Sequence, residues 1–311
     1  MTIPTPRYGA NYVPSQGWFY SWLDFRADDV RRDFEDLLAT IDIAAEFGLD
    51  VAVDLLQGHL SSFDFLPSWV LTWHRRSVFA DAEVRDGIAA YVARLAGEIS
   101  LRDNVFALTL GNEVNNLWPA SGTTAEQSRR WAAELLEVAG KEAPELLCLH
   151  SVFDDAWYAP EHPFHPGDAV ELGDLTTVHS WVFNGTSRID GPLGPATTTH
   201  ADYLVELAAS ADPGRAVWLQ ELGAPEPDVP AADAAEFTRR TLDAAAGHPA
   251  SPGGPRTTST RGSPTFPPAS TTSACSPWTT SPSPPRWRWP STCGPRTRRR
   301  VPRVHWCARP T

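Results

Sequence analysis

The sequence is poor in cysteine and has no long apolar run. Of its four cysteines only Cys148 precedes residue 251, which provides neither a disulfide framework nor a paired CxxC metal-binding spacing. No segment approaches the roughly 18 consecutive apolar residues of a membrane span. The first twelve residues lack a basic segment followed by an apolar one, so no secretory signal is indicated and a cytoplasmic protein is expected. Transmembrane, coiled-coil and collagen-like classes are excluded.

Charged residues are unequally distributed along the chain. All 38 Asp and Glu residues precede residue 251, whereas ten of the 26 Lys and Arg residues follow it, so residues 1–250 carry a net charge of −22. Residues 251–311 also contain thirteen of the 29 prolines and no Leu or Ile. Such a segment cannot bury enough apolar surface to offset its backbone entropy. We therefore predict a folded domain of residues 1–250 and a Pro/Arg/Thr/Ser-rich, disordered tail of residues 251–311.

Two explanations of the tail are open. Its basic residues, including the Arg-Trp-Arg-Trp segment at 286–289, could pair with phosphates and stack on bases or lie on an anionic membrane. Alternatively, the reading frame shifts near residue 250, because GC-rich coding DNA read out of frame yields Pro, Arg, Thr and Ser at this density. We favour the frame shift and expect no nucleic-acid or membrane partner. The nucleotide sequence decides between the two explanations.

The first 250 residues alternate short apolar segments with amphipathic stretches, which is typical of βα units around a parallel sheet. Strands are predicted at Tyr8–Tyr12, Val51–Leu55, Val105–Leu110, Leu146–Ser151, Leu175–His179 and Ala216–Gln220. Helices are predicted at Asp28–Phe47, Ala80–Ile99, Ala125–Gly140, His200–Ala211 and Ala231–Ala246. The interval between the first two strands has room for one βα unit, not two. We therefore predict an α/β, (β/α)8 TIM-barrel-like fold that is incomplete, with the second strand missing and the eighth replaced by the disordered tail.

Two of the predicted strands end in a carboxylate. Asn112-Glu113 follows the apolar segment that ends at Leu110, and Gln220-Glu221 follows Val217–Leu219. Reactive groups of parallel barrels lie at the C-terminal strand ends, so Glu113 and Glu221 are expected over the same opening. Two facing carboxylates suit glycosidic bond cleavage, one protonating the leaving oxygen and the other remaining charged. Either glutamate taken alone could instead cap a helix or lie in solvent.

Several segments resemble clan A glycoside hydrolases, specifically family 5. They are Tyr8–Tyr12, Leu110–Glu113, His179–Trp181 and Trp218–Glu221. Within family 5, Gly17–Trp22 and Val53–Trp69 resemble an actinobacterial β-mannosidase branch. The resemblance covers roughly residues 7–248. It implies an enzyme that acts on short β-mannosides, including the Man-β-1,4-GlcNAc unit of N-glycan cores.

The resemblance also assigns roles to individual residues. Glu113 resembles the family's general acid/base, Glu221 its nucleophile, and Asn112 the residue that hydrogen-bonds the sugar 2-hydroxyl. His179 matches a position that contacts or orients the nucleophile. The other expected substrate-binding residues are His59, Trp18, Trp181 and Asn11. For the histidines the alternative is a core or loop side chain satisfied by the backbone, and for each tryptophan it is core packing.

The function implied is retaining hydrolysis of β-mannosides by double displacement, exo-acting on short oligosaccharides, without a metal or a cofactor. Two alternatives stay open, namely an endo-β-glucanase or mannanase on the same scaffold and a catalytically inactive carbohydrate-binding remnant. The sequence departs from the family where a second strand ending in Val-Arg would support the nucleophile, and where an eighth strand would supply a tryptophan. The oligomeric state is left open.

Overall fold

A computed structural model describes residues 27–56, 58–60, 63, 64, 66, 70, 76–182, 185–247 and 256–258. The helices are α1 (Ala27–Glu46), α2 (Ala82–Ile99), α3 (Ala125–Glu142), α4 (Asp155–Tyr158), α5 (Pro166–Glu171), α6 (Ser187–Asp190), α7 (Pro195–Thr198), α8 (His200–Ala211) and α9 (Ala234–Gly247). The strands are β1 (Val51–Leu56), β2 (His59–Leu60), β3 (Phe63–Asp64), β4 (Val105–Gly111), β5 (Leu147–Leu149), β6 (Thr176–Trp181), β7 (Val217–Gly223) and β8 (Arg256–Thr258).

The predicted elements within residues 27–247 are present, with bounds that differ by at most three residues. Side-chain capping explains where α2 and α3 begin. Asp81 accepts a hydrogen bond from the backbone N–H of Val84 at the start of α2. Thr124 and Gln127 form a reciprocal capping box at the start of α3. The predicted strand Tyr8–Tyr12 lies outside the described residues.

The strands form a parallel arrangement in the order expected of consecutive βα units. β1 pairs with β4, β4 with β5, β6 with β7 and β7 with β8, in every case in parallel. A parallel bridge between His150 and Thr176 connects β5 to β6. Because all these strands run in one direction, their C-terminal ends lie at one edge of the sheet, as in a (β/α)8 barrel. β2 and β3 form a small antiparallel hairpin after β1.

The barrel differs from a regular one at its second and eighth positions. Within residues 27–56, α1 leads into β1 through residues 47–50 with no strand between them. At the eighth position the tail supplies the three residues of β8, which pair with Val217–Leu219. These three residues differ from the predicted disorder, because an extended segment of any composition can pair with the open backbone groups of β7. Residues 259–311 lie outside the described part of the chain.

Strand residues divide between two hydrophobic clusters. Leu108 and Leu110 of β4 belong to the larger cluster, which includes Leu95 of α2 and Leu135 of α3. Ala107, which directly precedes Leu108, belongs to the smaller cluster. The other members of the smaller cluster are Leu147, Leu149, Leu175, Ala216 and Trp218, all in strands or directly before them. One face of such a strand packs against helices, and the opposite face packs against the side chains of other strands.

Among the described helices, none has the length and apolarity needed to cross a membrane.

Candidate active site

Polar side chains from four neighbouring strands meet at the C-terminal edge of the sheet. Glu113 follows β4, Ser151 follows β5, His179 lies in β6 and Glu221 lies in β7. All are buried: the exposed fraction is 9 % for Glu113, 3 % for Glu221 and zero for His179. Burial of two carboxylates costs free energy unless hydrogen bonds or charges compensate, so their contacts determine the chemistry of the site.

The backbone around Glu113 is shaped by a glycine and by a left-handed turn. A Cβ atom on Gly111 would overlap the backbone oxygen of Leu56, so only glycine allows β4 to approach β1 this closely. Glu113 itself has φ 48° and ψ 47°, the left-handed region that L-residues rarely adopt. This turn begins the 3-10 segment Val114–Leu117. The side chain of Asn116 then donates a hydrogen bond of 3.2 Å to Oε2 of Glu113.

His179 lies between the two glutamates. Its Nδ1 atom is 2.8 Å from Oε1 of Glu113 and 3.8 Å from Oε2 of Glu221. On the other side of the ring, Nε2 is 3.0 Å from Oε1 of Gln220 and 3.1 Å from Oγ of Ser151. The family resemblance implied a histidine that contacts or orients the nucleophile, and of the two carboxylates near His179 that of Glu113 is the closer.

A β-bulge at Gln220 explains how consecutive residues of β7 reach the same ring. Val178 pairs with Leu219 and His179 pairs with Glu221, so Gln220 is the extra residue on β7. In a regular strand, neighbouring side chains point to opposite faces. The bulge removes this restriction locally, so Gln220 and Glu221 both face His179. The amide Nε2 of Gln220 lies 3.4 Å from Oγ1 of Thr109 in β4.

Trp181 contacts Glu221 across the β6–β7 pair. Its indole Nε1 donates a hydrogen bond of 3.0 Å to Oε2 of Glu221. Trp181 pairs in register with Gly223, where a Cβ atom would overlap the indole ring. The glycine therefore gives the ring room to lie over β7 with its N–H toward the carboxylate.

The charges of the site determine the protonation of His179. Burial alone lowers the pKa of the imidazole, but the negative charge of Glu221 and the hydrogen bond and charge of Glu113 outweigh it and raise the pKa to about 9. One potential ligand atom from each of Glu113, His179 and Glu221 lies within 4.8 Å of the others, a spacing that a metal ion could also use. Because His179 already contacts Glu113 and Trp181 donates to Glu221, the arrangement is suited to proton transfer between side chains.

Two asparagines beside Glu113 differ in their contacts. Asn115 is fully buried, and its amide accepts a hydrogen bond from the backbone N–H of Phe153 at 2.7 Å and donates to the carbonyl of Phe153. It therefore connects the segments that follow β4 and β5. Asn112 is 6 % exposed, and its Nδ2 atom has no hydrogen-bond partner among the described residues. A buried donor without a partner is costly, so Nδ2 of Asn112 is available to a ligand at this edge.

The remaining expected substrate-binding residues are only partly described. His59 is half-buried and lies in the β2–β3 hairpin, which packs against the 3-10 segment after Glu113. At Gly58 a Cβ atom would collide with the side chain of Leu117, so the hairpin approaches this segment closely. Trp18 and Asn11 lie outside the described residues. Sequence analysis missed Ser151, Gln220 and Asn116, whose polar side chains become significant only once the strand ends are aligned.

Comparison with solved structures identifies the family. A GH5_18 enzyme of Streptomyces cattleya, in complex with Manβ1-4GlcNAc as a Glu-to-Ala variant, is 43% identical, with a TM-score of 0.73 over 82% of this chain and 70% of that chain. The chain belongs to glycoside hydrolase family 5, subfamily 18. A GH5_18 enzyme of Bifidobacterium longum subsp. infantis is 38% identical, with a TM-score of 0.73 over 83% of this chain and 69% of that chain. A GH5_18 variant of Bifidobacterium longum subsp. longum, again with Manβ1-4GlcNAc, is 34% identical, with a TM-score of 0.72 over 82% and 68%.

The GH5_18 chain thus belongs to the O-glycosyl hydrolases, and the family resemblance seen in the sequence is confirmed. More distant structures share the fold, among them an endo-1,4-β-D-mannanase of Thermotoga petrophila at 16% identity and a TM-score of 0.55, covering 73% of this chain and 68% of that chain. A scan against protein-family models and a search of curated proteins gave no match.

Proposed function

We propose that this GH5_18 chain is a retaining β-mannosidase that removes mannose from short oligosaccharides, with Glu221 as the nucleophile and Glu113 as the general acid/base. Residues 1–250 would form the catalytic barrel domain, to which the tail of residues 251–311 adds the short strand β8. The substrate class is that of β-mannosides linked to GlcNAc or to mannose.

The observation that carries the proposal is the distance between the two buried glutamates. One carboxylate oxygen of Glu113 and one of Glu221 lie within 4.8 Å of each other. Retaining glycosidases hold their carboxyl groups about 5 to 5.5 Å apart, whereas inverting enzymes need roughly 6.5 to 9.5 Å to admit a water molecule between them. The shorter separation supports attack by one carboxylate directly on the anomeric carbon.

The assignment of roles follows from what each carboxylate contacts. Oε2 of Glu221 accepts the hydrogen bond of Trp181, which holds that carboxylate in place at the end of the sheet. A charged carboxylate is the nucleophile that double displacement requires. Oε1 of Glu113 faces Nδ1 of His179 at 2.8 Å, a contact through which a proton can be held and returned. Glu113 therefore suits the role of proton donor and acceptor.

The reaction then proceeds in two steps whose protons balance. Carboxylate Glu221 bonds to the anomeric carbon while the bond to the leaving oxygen breaks and Glu113 supplies a proton to that oxygen. In the second step Glu113 takes a proton from water, whose oxygen bonds to the anomeric carbon and releases Glu221. Asn112, with its buried Nδ2 atom, would donate to the sugar 2-hydroxyl, where hydrogen bonds strengthen in the transition state.

The sugar specificity is supported by the relatives. The GH5_18 structures of Streptomyces cattleya and Bifidobacterium longum contain Manβ1-4GlcNAc, at 43% and 34% identity to this chain. A short disaccharide ligand favours exo action in a pocket. His59, in the hairpin next to the 3-10 segment after Glu113, lies where it could contact such a sugar.

The test is hydrolysis of an aryl β-mannoside by the purified full chain, in the presence of a chelator, with Glu113→Ala and Glu221→Ala as variants. Azide should restore turnover in both variants with opposite products. Glu221→Ala should yield the α-mannosyl azide, because azide replaces the nucleophile, and Glu113→Ala should yield the β-mannosyl azide. The same azide anomer from both variants, or activity lost to the chelator, would contradict the proposed roles.

Product lengths separate the alternatives within the enzyme class. An exo-acting enzyme releases mannose from the first minutes of a mannopentaose digest, whereas an endo-β-glucanase or mannanase releases internal oligosaccharides. Binding of Manβ1-4GlcNAc without turnover of any aryl mannoside would instead identify a catalytically inactive carbohydrate-binding protein.

A further inference from the structure

Gln220 is one of the buried polar residues of the site to which neither sequence nor family resemblance gave a role. Its exposed fraction is 8 %, and the bulge of β7 turns its amide toward the imidazole. Oε1 of Gln220 lies 3.0 Å from Nε2 of His179, and Nε2 of Gln220 lies 3.4 Å from Oγ1 of Thr109. The amide thus presents its oxygen, not its nitrogen, to the histidine.

An amide oxygen can only accept a hydrogen bond, so the histidine must donate. Nε2 of His179 therefore carries a hydrogen, and the hydroxyl of Ser151 at 3.1 Å is compatible because it can also accept. In a neutral imidazole protonated at Nε2, the other nitrogen, Nδ1, has a lone pair. That lone pair faces Oε1 of Glu113 at 2.8 Å. Two acceptors at this distance require a proton between them.

We propose that Gln220 is a positioning residue that keeps a proton in the Glu113–His179 pair, by holding the other imidazole hydrogen on Nε2. The inference rests on the proposed function, in which Glu113 supplies the proton to the leaving group. The proton resides on Oε1 of Glu113 or on Nδ1 of His179, and both forms carry the same total charge. On cleavage the proton passes to the leaving oxygen, and the water of the second step restores it.

The charges around His179 are consistent with one proton shared by Glu113 and His179. Among the described residues, the titratable groups that face His179 are Glu113, which follows β4, and Glu221 from β7, and the contact that follows β5 is the uncharged Ser151. With one proton shared and Glu221 ionised, the group carries a single negative charge in place of two. The pKa of His179, raised to about 9 mainly by Glu221 and Glu113 against the effect of burial, is consistent with a proton retained at neutral pH.

The first test compares two substitutions of Gln220 that differ in their ability to accept. Gln220→Met keeps the length of the side chain but removes the acceptor, so neutral His179 can place its hydrogen on Nδ1 and donate to ionised Glu113. Gln220→Glu keeps the acceptor and adds a negative charge. The alkaline limb of the kcat/KM profile should therefore move down by about one pH unit in the first variant and up in the second, the size expected of one hydrogen bond to a charged group. Shifts in the same direction would overturn the proposal.

The second test varies the leaving group. A dinitrophenyl β-mannoside departs without protonation, whereas a phenyl β-mannoside needs the acid. At neutral pH Gln220→Met should lose about tenfold in kcat/KM with the phenyl substrate and little with the dinitrophenyl substrate. An equal loss with both would indicate damage to the pocket in general and would overturn the role in proton supply.

The third test needs no enzymatic activity, so it separates this inference from the proposed function. In 15N-labelled full chain, the His179 ring, assigned through His179→Gln, should show a hydrogen on Nε2 across the neutral pH range. Gln220→Met should move the hydrogen toward Nδ1 and Gln220→Glu should not, while circular dichroism confirms that each variant folds. A wild-type ring protonated only at Nδ1 would overturn the proposal even if the chain is an active mannosidase.

Discussion

The indole of Trp181 lies over Gly223, its partner on the neighbouring strand, and donates a hydrogen bond of 3.0 Å to the carboxylate of Glu221. Gly223 of β7, which has no side chain, thus helps to orient the proposed nucleophile. The contact therefore makes the hydrogen bond to the Glu221 carboxylate depend on a glycine at position 223.

Gly223→Ala should impair catalysis by displacing this indole. The new Cβ atom would overlap the ring of Trp181, so the ring must move and its hydrogen bond to Glu221 is lost. We expect kcat/KM to fall about 10- to 100-fold, the value of one hydrogen bond to a charged group. Steady-state kinetics with an aryl β-mannoside measures the change.

Gly87 in α2 provides the matched control, because a Cβ atom there meets nothing within 4 Å. Gly87→Ala should leave kcat/KM unchanged and raise the free energy of unfolding by about 1 kcal/mol. Trp181→Phe removes the same donor as Gly223→Ala, so the losses in the double variant should not add. Additive losses would refute a shared mechanism.

The raised pKa of His179 makes stability depend on pH. Its folded pKa of about 9 lies above the ordinary value of 6.5, so the folded state binds the proton more tightly than the unfolded chain. The stabilisation is fully present below about pH 6.5 and is lost as pH rises through about 9. Urea unfolding at pH 6 and at pH 9.5 should show a lower free energy of unfolding at the higher pH. His179→Gln should show a smaller decrease, and an equal decrease would assign the effect to other groups.

Glu113 should show a reversed preference between alanine and glycine. With φ at 48°, alanine is strained at this position and glycine is not. Glu113→Gly should therefore be more stable than Glu113→Ala by about 1 kcal/mol, as measured by urea unfolding. At the exposed helical residue Glu137 of α3 the order should be the opposite by about 1 kcal/mol. The same order at both positions would contradict the left-handed turn.

Alanine substitutions of Asn112 and Asn115 should differ in their effects, the first lowering mainly kcat/KM and the second mainly the free energy of unfolding. Asn115→Ala breaks two hydrogen bonds to Phe153 and should lower the free energy of unfolding by about 1 to 3 kcal/mol. Asn112→Ala removes a donor that has no partner among the described residues, so it should cost less stability but about 10- to 100-fold in kcat/KM. A large loss of stability in Asn112→Ala with unchanged kinetics would assign that residue to folding.

The sequence predicts the fold well where one physical signal dominates. Apolar segments such as Val105–Leu110 and stripes such as that of α3 determine strands and helices, since each must bury a face. The eighth position was harder, because Arg256–Thr258, which pair with β7, have no apolar pattern, and the backbone groups that pair strands are common to nearly all residues. Pairing of that kind leaves no signal in the side chains.

The same difference applies to the site. A carboxylate at a strand end is visible in the sequence, so Glu113 and Glu221 could be predicted to meet. Gln220 could not, because regular alternation would point it away from Glu221, and only the β-bulge turns both toward His179. The role of Gly223 also depends on the register of two strands distant in sequence.

Covalent trapping tests the central claim most directly. The full chain is incubated with a 2-deoxy-2-fluoro-β-mannoside that has a dinitrophenyl leaving group, and the modified peptide is sequenced by mass spectrometry. Our account predicts one fluoromannosyl adduct per chain, on Glu221, and none in Glu221→Ala. An adduct on Glu113 or another residue, or a first sugar product of inverted configuration, would contradict it.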